Sequence, residues 1–345
     1  MKKLVFRLIL LTGVLALALL AGEGILRVFV DLPRTKPLPQ VRYDPDPVRR
    51  FTLRPDQSGF TWEAPFNVDA DGFRRNGAGA PENGRRTILA TGDSFTFGMG
   101  VEDHQTWPAV LEQRLNRAEP GSVQVLNGGT VSYGVFQEID LFRKRGLGVD
   151  PDIVIHGLYW NDYMSAGPPD PDSPPAVNDA GYFTWDDPRP PAGFVRRVVH
   201  SLSSHSAILF TLKRVLARGR NESRGVTTYQ QAYNRFLAGE VNPEELEPID
   251  RFYEEMVALS ADHPFEFYVV IFPVVDLAGQ AGSGDHPFAR HVRGVLDSLE
   301  VRYVDGFRLW ESMPDPGSTF LPYNRHLNHR GYDLVADELE RLLAE

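Results

Sequence analysis

Cysteine is absent from the 345-residue sequence. Disulfide bonds, thiolate metal sites and cysteine nucleophiles are therefore excluded. Clustered basic residues are scarce as well: pairs such as Arg49–Arg50 and Arg85–Arg86 are short and scattered, and the formal net charge is −10. A surface that binds nucleic acid needs clustered Lys and Arg. We therefore expect no nucleic-acid partner.

Several catalytic and cofactor motifs are also missing. The sequence contains no HExxH zinc motif, no P-loop and no GxGxxG dinucleotide motif. The G-x-S-x-G elbow of the α/β-hydrolases is not formed around Ser94, because Thr96 stands where the second glycine would be. Since nothing in the sequence calls for a cofactor or a metal ion, we predict neither.

The first 30 residues carry a long apolar run. Lys2, Lys3 and Arg7 precede an uncharged stretch of about 15 residues, 8–22, which is the pattern of a signal sequence. The apolar segment reaches the length of a membrane span when it is extended to Val30 and its charged side chains snorkel. We favour an uncleaved single-pass anchor at residues 1–30. A cleaved signal peptide and a buried N-terminal helix are the alternatives.

The positive residues before the apolar run predict which side of the membrane the chain occupies. Lys2, Lys3 and Arg7 place the N-terminus inside and the rest of the chain outside. We therefore expect a bacterial membrane protein with its main domain on the periplasmic side. Residues 31–66 are rich in proline and show no periodicity, so they are interpreted as an extended linker.

From residue 87 onward, short segments rich in Val and Ile alternate with helical segments. Short apolar strands of this kind are typical of a parallel sheet that is covered on both faces. The pattern predicts an α/β fold: a three-layer α/β/α sandwich with a five-stranded parallel, doubly wound (flavodoxin-like) sheet, over residues 67–345. The predicted strands are 87–91, 123–126, 152–157, 266–272 and 301–304, and the predicted helices are 105–118, 134–146, 245–261, 286–299 and 329–344.

An insertion at 163–240 interrupts this alternation directly after the third strand. It begins with a proline-rich stretch and continues with helical segments at about 194–219 and 228–239. Because it leaves the sheet at a carboxyl end, we interpret it as a lid-like region over the site. Its aromatic residues Tyr182, Phe183 and Trp185 either stack on a sugar or an acyl chain, or pin the loop to the domain.

Ser94 lies between the first predicted strand and the following helix. Free backbone N–H groups and the positive end of a helix dipole can stabilise an oxyanion at such a turn. Serine is also a common helix N-cap, which is the alternative interpretation. A serine nucleophile needs a base. His326, in the loop before the closing helix, can reach the same sheet edge, whereas His329 falls at the helix start and His156 falls inside a strand.

Four segments, in this order, resemble the conserved blocks of the SGNH (GDSL-type) hydrolases: "GDSFTFG", "VLNGGTVSYGVFQE", "PDIVIHGLYWND" and "YNRHLNHRGY". The "GFR" at 72–74 is similar to a segment of membrane-anchored bacterial members. The resemblance implies the fold of these hydrolases and a serine esterase with an ester-bearing substrate. The predicted anchor and the aromatic residues of the insertion suggest O-acyl groups of a surface or exported glycan as that substrate. The resemblance also implies Ser94 as the nucleophile and His326 as the base. The Ser94 N–H, a backbone N–H near Ser132 and the Asn161 amide would form the oxyanion hole.

The sequence departs from this family pattern at three positions. Ser132 and Tyr159 stand where glycines are expected, and Asn324 stands where an acid usually precedes the histidine. Asn324 can hold the imidazole through its amide oxygen, or a backbone carbonyl can do so. An acid-to-amide change in a serine protease costs about 10⁴ in turnover. Three hypotheses therefore stay open: an esterase, an acyltransferase with the same site, and a catalytically weak protein that binds a glycan or a partner. Asp93 is expected to brace the loop.

Overall fold

The computed structural model describes residues 2–29, 36–77, 86–165, 175–189 and 228–345. It also describes short pieces at 173, 193–194, 198, 201–202, 205–212 and 215. Much of the predicted helical segment 194–219 therefore lies outside the described residues. The chain divides into two compact units, Met1–Thr35 with Pro188–Ala232 and Lys36–Asp187 with Tyr233–Glu345.

The larger unit contains a five-stranded sheet in which every neighbouring pair of strands is parallel. The described strands are β1 (Tyr43–Asp46), β2 (Arg50–Leu53), β3 (Gln57–Thr61), β4 (Ala64–Val68), β5 (Arg86–Gly92), β6 (Val123–Asn127), β7 (Ile153–Leu158), β8 (Glu266–Ile271) and β9 (Arg302–Asp305). The sheet order is β6-β5-β7-β8-β9. The chain reverses its direction of winding between β5 and β7, and ligands bind at such a switch point in open α/β sheets. The predicted doubly wound sheet is confirmed.

Helices cover both faces of this sheet. The described helices are α1 (Lys2–Phe29), α2 (Ser94–Phe97), α3 (Trp107–Leu115), α4 (Val135–Leu141), α5 (Thr228–Leu237), α6 (Pro243–Asp262), α7 (Pro287–Ser298), α8 (Gly306–Glu311) and α9 (His329–Ala344). Helix α3 packs against α9, while α6 packs against both α4 and α7. Strands such as β7 are buried along their whole length, as a sheet between two helical layers requires. The predicted three-layer sandwich is confirmed.

The prediction of an extended linker at 31–66 is wrong for residues 36–66; residues 31–35 lie outside the described part. Strand β1 pairs with β2, and β3 pairs with β4, as two antiparallel hairpins. Tyr43, Phe51, Leu53 and Phe66 are buried there and pack in one cluster with Phe97 of α2. The many prolines suggested an unpaired segment, but prolines are tolerated on edge hairpins such as these.

Arg74 links the hairpins to the start of the parallel sheet. Its side chain is fully buried, and its guanidinium donates to the carbonyls of Phe97 (2.7 Å), Gly98 (2.6 Å) and Val101 (2.7 Å). It also pairs with Asp103 at 2.9 Å. Because the carbonyl groups at a helix end lack partners within the helix, Arg74 satisfies the end of the helix that begins at Ser94.

The smaller unit contains α1, whose stretch Leu10–Val28 is long and apolar enough to cross a membrane, with a mean hydropathy of 1.7. A signal sequence meets the same criterion. Glu23 is the one acid in this stretch. Its carboxylate accepts hydrogen bonds from the Ser206 hydroxyl (2.8 Å) and the amides of Ala207 (2.8 Å) and Ile208 (3.1 Å). The Glu23 carboxylate therefore finds its hydrogen-bond donors at the start of the helical piece 207–212 of the insertion.

We predict that Arg74→Ala lowers the free energy of unfolding by about 3–5 kcal/mol, because it leaves Asp103 and several carbonyls without their buried partner. Arg251→Ala is the control: Arg251 is 72% exposed and, within the described part of the chain, its one ion pair is with Glu247, so the expected loss is below about 0.5 kcal/mol. Urea unfolding measures both losses. Equal losses for the two variants would contradict the role given to Arg74.

Candidate active site

Ser94 lies in a tight turn at the carboxyl end of β5. The Asp93 carboxylate accepts the Phe95 amide at 2.8 Å and caps α2, as expected for a residue that braces the loop. Gly92 has a φ of +142°, and a Cβ there would lie 2.4 Å from Thr96 Oγ1 and 2.6 Å from the Gly157 carbonyl. Only glycine fits this turn, which brings the serine to the edge of the sheet.

His326 lies in the loop before α9, and this loop brings its side chain to Ser94. The Leu321 amide donates to the His326 carbonyl at 2.7 Å, and Asn328 caps α9, which begins at His329 as predicted. The structure places His326 Nε2 2.8 Å from Ser94 Oγ, although the residues are 232 positions apart. The imidazole also stacks on Phe95, with ring centroids 4.7 Å apart. The two residues therefore have the contact that a nucleophile and its base require.

Asn324 orients the imidazole through its main chain and not through its side-chain amide. His326 Nδ1 lies 2.9 Å from the Asn324 carbonyl oxygen, whereas Asn324 Oδ1 accepts the His326 main-chain N–H at 3.1 Å. A carbonyl oxygen only accepts, so Nδ1 is assigned the proton and Nε2 presents its lone pair to Ser94. Of the two acceptors expected for the ring, the amide oxygen of Asn324 and a backbone carbonyl, the structure has the backbone carbonyl.

The surroundings of His326 favour the neutral ring. Burial lowers the pKa of His326 to about 4, although part of the side chain stays accessible, and the hydrogen bond to Asn324 acts in the opposite direction. An imidazole with this pKa is in its basic form at neutral pH. The ring is therefore ready to accept the Ser94 proton.

The predicted oxyanion-hole residues lie on neighbouring loops at the same sheet edge. Ser132 follows β6, and Asn161 follows β7. Ser132 has a φ of +65°, the left-handed region in which glycine was expected, and serine adopts it with an exposed side chain. Asn161 Oδ1 is buried and accepts no hydrogen bond from the described residues. The chain thus gathers Ser94, Ser132 and Asn161 at the carboxyl ends of three adjacent strands.

Tyr159 occupies the second position at which glycine was expected. Its ring is buried and stacks on Phe95, with ring centroids 4.0 Å apart and an angle of 29° between the planes. Phe95 lies in turn against His326. The three rings form a continuous stack, so Tyr159 supports the His326 imidazole indirectly, through Phe95.

A buried group of titratable side chains beneath Ser94 was not predicted as part of the site. Glu138, His156 and Asp162 each bring one donor atom within 4.8 Å of the other two. His156 Nε2 lies 2.9 Å from Glu138 Oε2, and its Nδ1 lies 3.3 Å from the Tyr253 hydroxyl. These ligand types can hold a metal ion, but the direct contact between His156 and Glu138 already uses both groups. The sequence signal that could have pointed to this buried group is that Asp162 directly follows Asn161.

The chain is similar in structure to several solved hydrolases. LAE5, an alpha/beta hydrolase enzyme from the metagenome of Lake Arreo, Spain, is 16% identical over 75% of this chain and 95% of its own, with a TM-score of 0.44. A variant of Axe2, an acetyl xylan esterase from Geobacillus stearothermophilus, is 12% identical over 75% and 94%, with a TM-score of 0.43. The lipase/acylhydrolase from Enterococcus faecalis is 11% identical over 74% and 94%, with a TM-score of 0.40. The activities named belong to those proteins. No family model and no curated protein matches the chain.

The low pKa of His326 predicts the acid side of a pH profile for ester hydrolysis. The ring must be unprotonated to act, so activity is lost as the pH falls through about 4. We expect kcat/KM for p-nitrophenyl acetate to be about as high at pH 5.5 as at pH 6.5. A histidine with an ordinary pKa of about 6.5 would instead give a value roughly fivefold lower at pH 5.5.

The main-chain contact to the ring predicts that the side chain of Asn324 is largely dispensable for turnover. Asn324→Ala keeps the carbonyl that holds Nδ1, so we expect kcat to fall by less than about tenfold. Loss of a group that orients the histidine costs about 10⁴ in a serine protease. A fall of that size on p-nitrophenyl acetate, in a variant that is folded by circular dichroism, would show that the side chain does the orienting.

Proposed function

We propose that the chain is a carboxylic ester hydrolase that acts through an acyl-enzyme on Ser94, with His326 as the general base. The observation that carries the proposal is the 2.8 Å contact between Ser94 Oγ and His326 Nε2 at the switch point of the sheet. The ring is held from behind by the Asn324 carbonyl at 2.9 Å. Nucleophile, base and orienting group are the three parts that serine acyl transfer uses.

The reaction follows from these contacts. Ser94 Oγ attacks the acyl carbon while its proton moves to His326 Nε2, and the carbonyl oxygen becomes an oxyanion. The Ser94 N–H, the Ser132 N–H and the Asn161 amide are proposed to hold this oxyanion; one such donor is worth about 3 kcal/mol of barrier in another hydrolase. His326 then gives the proton to the leaving alcohol. Water, activated by the same imidazole, releases the acid and restores Ser94.

We infer that the substrate is an O-acylated, and most simply O-acetylated, glycan. Tyr182 and Phe183 are buried and pin the insertion, but Trp185 is 59% exposed. Its ring stacks on Phe183 at 4.7 Å, and Phe183 stacks on Tyr43 at 4.2 Å, so a rigid aromatic face is presented at the surface. The adjacent ion pair of Lys36 and Asp186 offers partners for hydroxyl groups. Flat aromatic faces with polar neighbours suit the apolar face and the hydroxyl rim of a sugar.

We propose that α1 anchors the protein in a bacterial membrane with the hydrolase unit on the periplasmic side. The length and apolar character of Leu10–Val28 support a single span. Lys2, Lys3 and Arg7 before the span support the orientation.

Two alternatives use the same site. An acyltransferase would pass the acyl group from Ser94 to a second hydroxyl in place of water. A catalytically weak binding protein is suggested by Asn324 standing where an acid is usual. The main-chain contact to His326 Nδ1 favours an active site over a binding one, because it supplies the orienting acceptor without a carboxylate.

Turnover of p-nitrophenyl acetate by the full-length protein in detergent micelles tests the proposal. We expect Ser94→Ala to lower kcat by about 10³-fold or more. Ser298→Ala is the control, because Ser298 is exposed at the end of α7, and it should leave the rate unchanged. If a folded wild-type protein shows no turnover above that of Ser94→Ala, the binding alternative is favoured and the esterase is excluded for this substrate.

A further inference from the structure

Among the residues that the structure describes, Ser94 Oγ has two hydrogen-bonding neighbours, and it has only one proton to give. His326 Nε2 lies at 2.8 Å and Asp93 Oδ2 lies at 3.1 Å. His326 Nε2 is an acceptor, since the ring proton is on Nδ1. If Asp93 is ionised, it is an acceptor as well, and the two groups compete for the serine proton. If Asp93 is neutral, it has a proton of its own to donate.

We propose that Asp93 is a positioning residue that acts in its neutral form: its carboxyl O–H donates to Ser94 Oγ, which directs the serine proton to His326. The inference rests on the proposed esterase function. All hydrogen bonds then run one way, from Asp93 to Ser94 Oγ, from Ser94 to His326 Nε2, and from Nδ1–H to the Asn324 carbonyl. During acylation Asp93 keeps its proton, and the proton that reaches the leaving alcohol is the one from Ser94.

The surroundings of Asp93 supply the reason for a neutral carboxyl. Asp93 is 2% exposed, and the acids Glu138 and Asp162 face it from α4 and from the loop after β7. Burial and the nearby Glu138 raise the pKa of Asp93 to about 7, against the hydrogen bond from the Phe95 amide. The pKa of Asp162 is also raised well above its ordinary range, by burial and by Asp93 and Glu138. Carboxylates this close cannot all ionise without a large cost.

Among the described residues, neither Asp93 nor Asp162 forms an ion pair with a cationic side chain. Tyr332 of α9 faces Asp93, and burial raises the pKa of its hydroxyl above the ordinary range. His156 contacts Glu138 through Nε2 and the Tyr253 hydroxyl through Nδ1. The guanidinium of Arg74 acts on Tyr332, but it is paired with Asp103 at 2.9 Å. Protonation of Asp93 and Asp162 is therefore the way the described groups relieve the buried negative charge.

The proposal predicts the direction in which activity changes with pH. Activity needs His326 unprotonated and Asp93 protonated, so kcat/KM should fall as the pH rises through about 7. The competing idea is that Asp93 is ionised and replaces the missing acid by stabilising the imidazolium through its charge. That idea predicts that activity rises, not falls, as Asp93 loses its proton.

The test compares full-length wild type, Asp93→Asn and Asp150→Asn in detergent micelles, with p-nitrophenyl acetate from pH 5 to 9. The amide that Asp93→Asn introduces is a permanent donor of the same shape. Asp150 is an exposed acid that precedes β7, at the edge of the sheet opposite the site. We expect wild type and Asp150→Asn to be about tenfold slower at pH 8 than at pH 6. Asp93→Asn should change by less than twofold over that interval, at a rate within about tenfold of wild type at pH 6.

Two outcomes would overturn the inference: an alkaline fall that persists in Asp93→Asn, or a loss of about 100-fold at pH 6 in this variant while it remains folded. Absence of any Ser94-dependent turnover would overturn the proposed function instead. Infrared difference spectroscopy tests the protonation state of Asp93 without a measurement of turnover. A protonated-carboxyl band present in wild type at pH 6 and missing from Asp93→Asn supports it; identical spectra contradict it.

Discussion

The hydrogen bond between Ser94 Oγ and His326 Nε2 is the interaction on which the proposed chemistry depends. It joins two loops that are far apart in the sequence of the larger unit, and in the proposed reaction neither residue could act alone. The tight turn at Gly92 sets the position of Ser94. Asn328 caps α9 and so fixes where the loop that carries His326 ends. Arg74 holds the far end of α2. These supports lie in the backbone and the buried core, so the contact does not rely on mobile surface side chains.

Burial disfavours the charged form of both groups that contact Ser94 Oγ, His326 and Asp93. It lowers the pKa of His326 to about 4 and raises the pKa of Asp93 to about 7, and both shifts favour the uncharged form. A neutral base and a neutral donor on either side of the hydroxyl leave one direction for its proton. A carboxylate beside His326 would raise the imidazole pKa by its charge. A main-chain carbonyl orients the ring without adding a full charge, which fits the presence of Asn324 at this position.

The sequence was sufficient for the sheet because its strands are short segments rich in Val and Ile that alternate with helical segments; each predicted strand lies within about two residues of the observed one. That Ser94 and His326 lie close together could be predicted because the carboxyl edge of a parallel sheet collects such residues. The hairpins at 43–68 were missed because their prolines hid an alternating buried pattern. The sequence left open whether the Asn324 amide oxygen or a backbone carbonyl holds the imidazole, because it does not show the path of the loop. Glu138 and Asp162 were missed because their meeting depends on how α4 packs against the segment after β7 that begins at Asp162.

The identity of the residue that reacts with an active-site phosphonate tests the central claim most directly. The full-length protein is treated with a fluorophosphonate in detergent micelles, digested and mapped by mass spectrometry. We expect a single covalent adduct on Ser94, formed slowly or not at all once His326 is replaced by alanine. An adduct on another residue, or equal labelling after His326→Ala, would contradict the pairing of these two side chains.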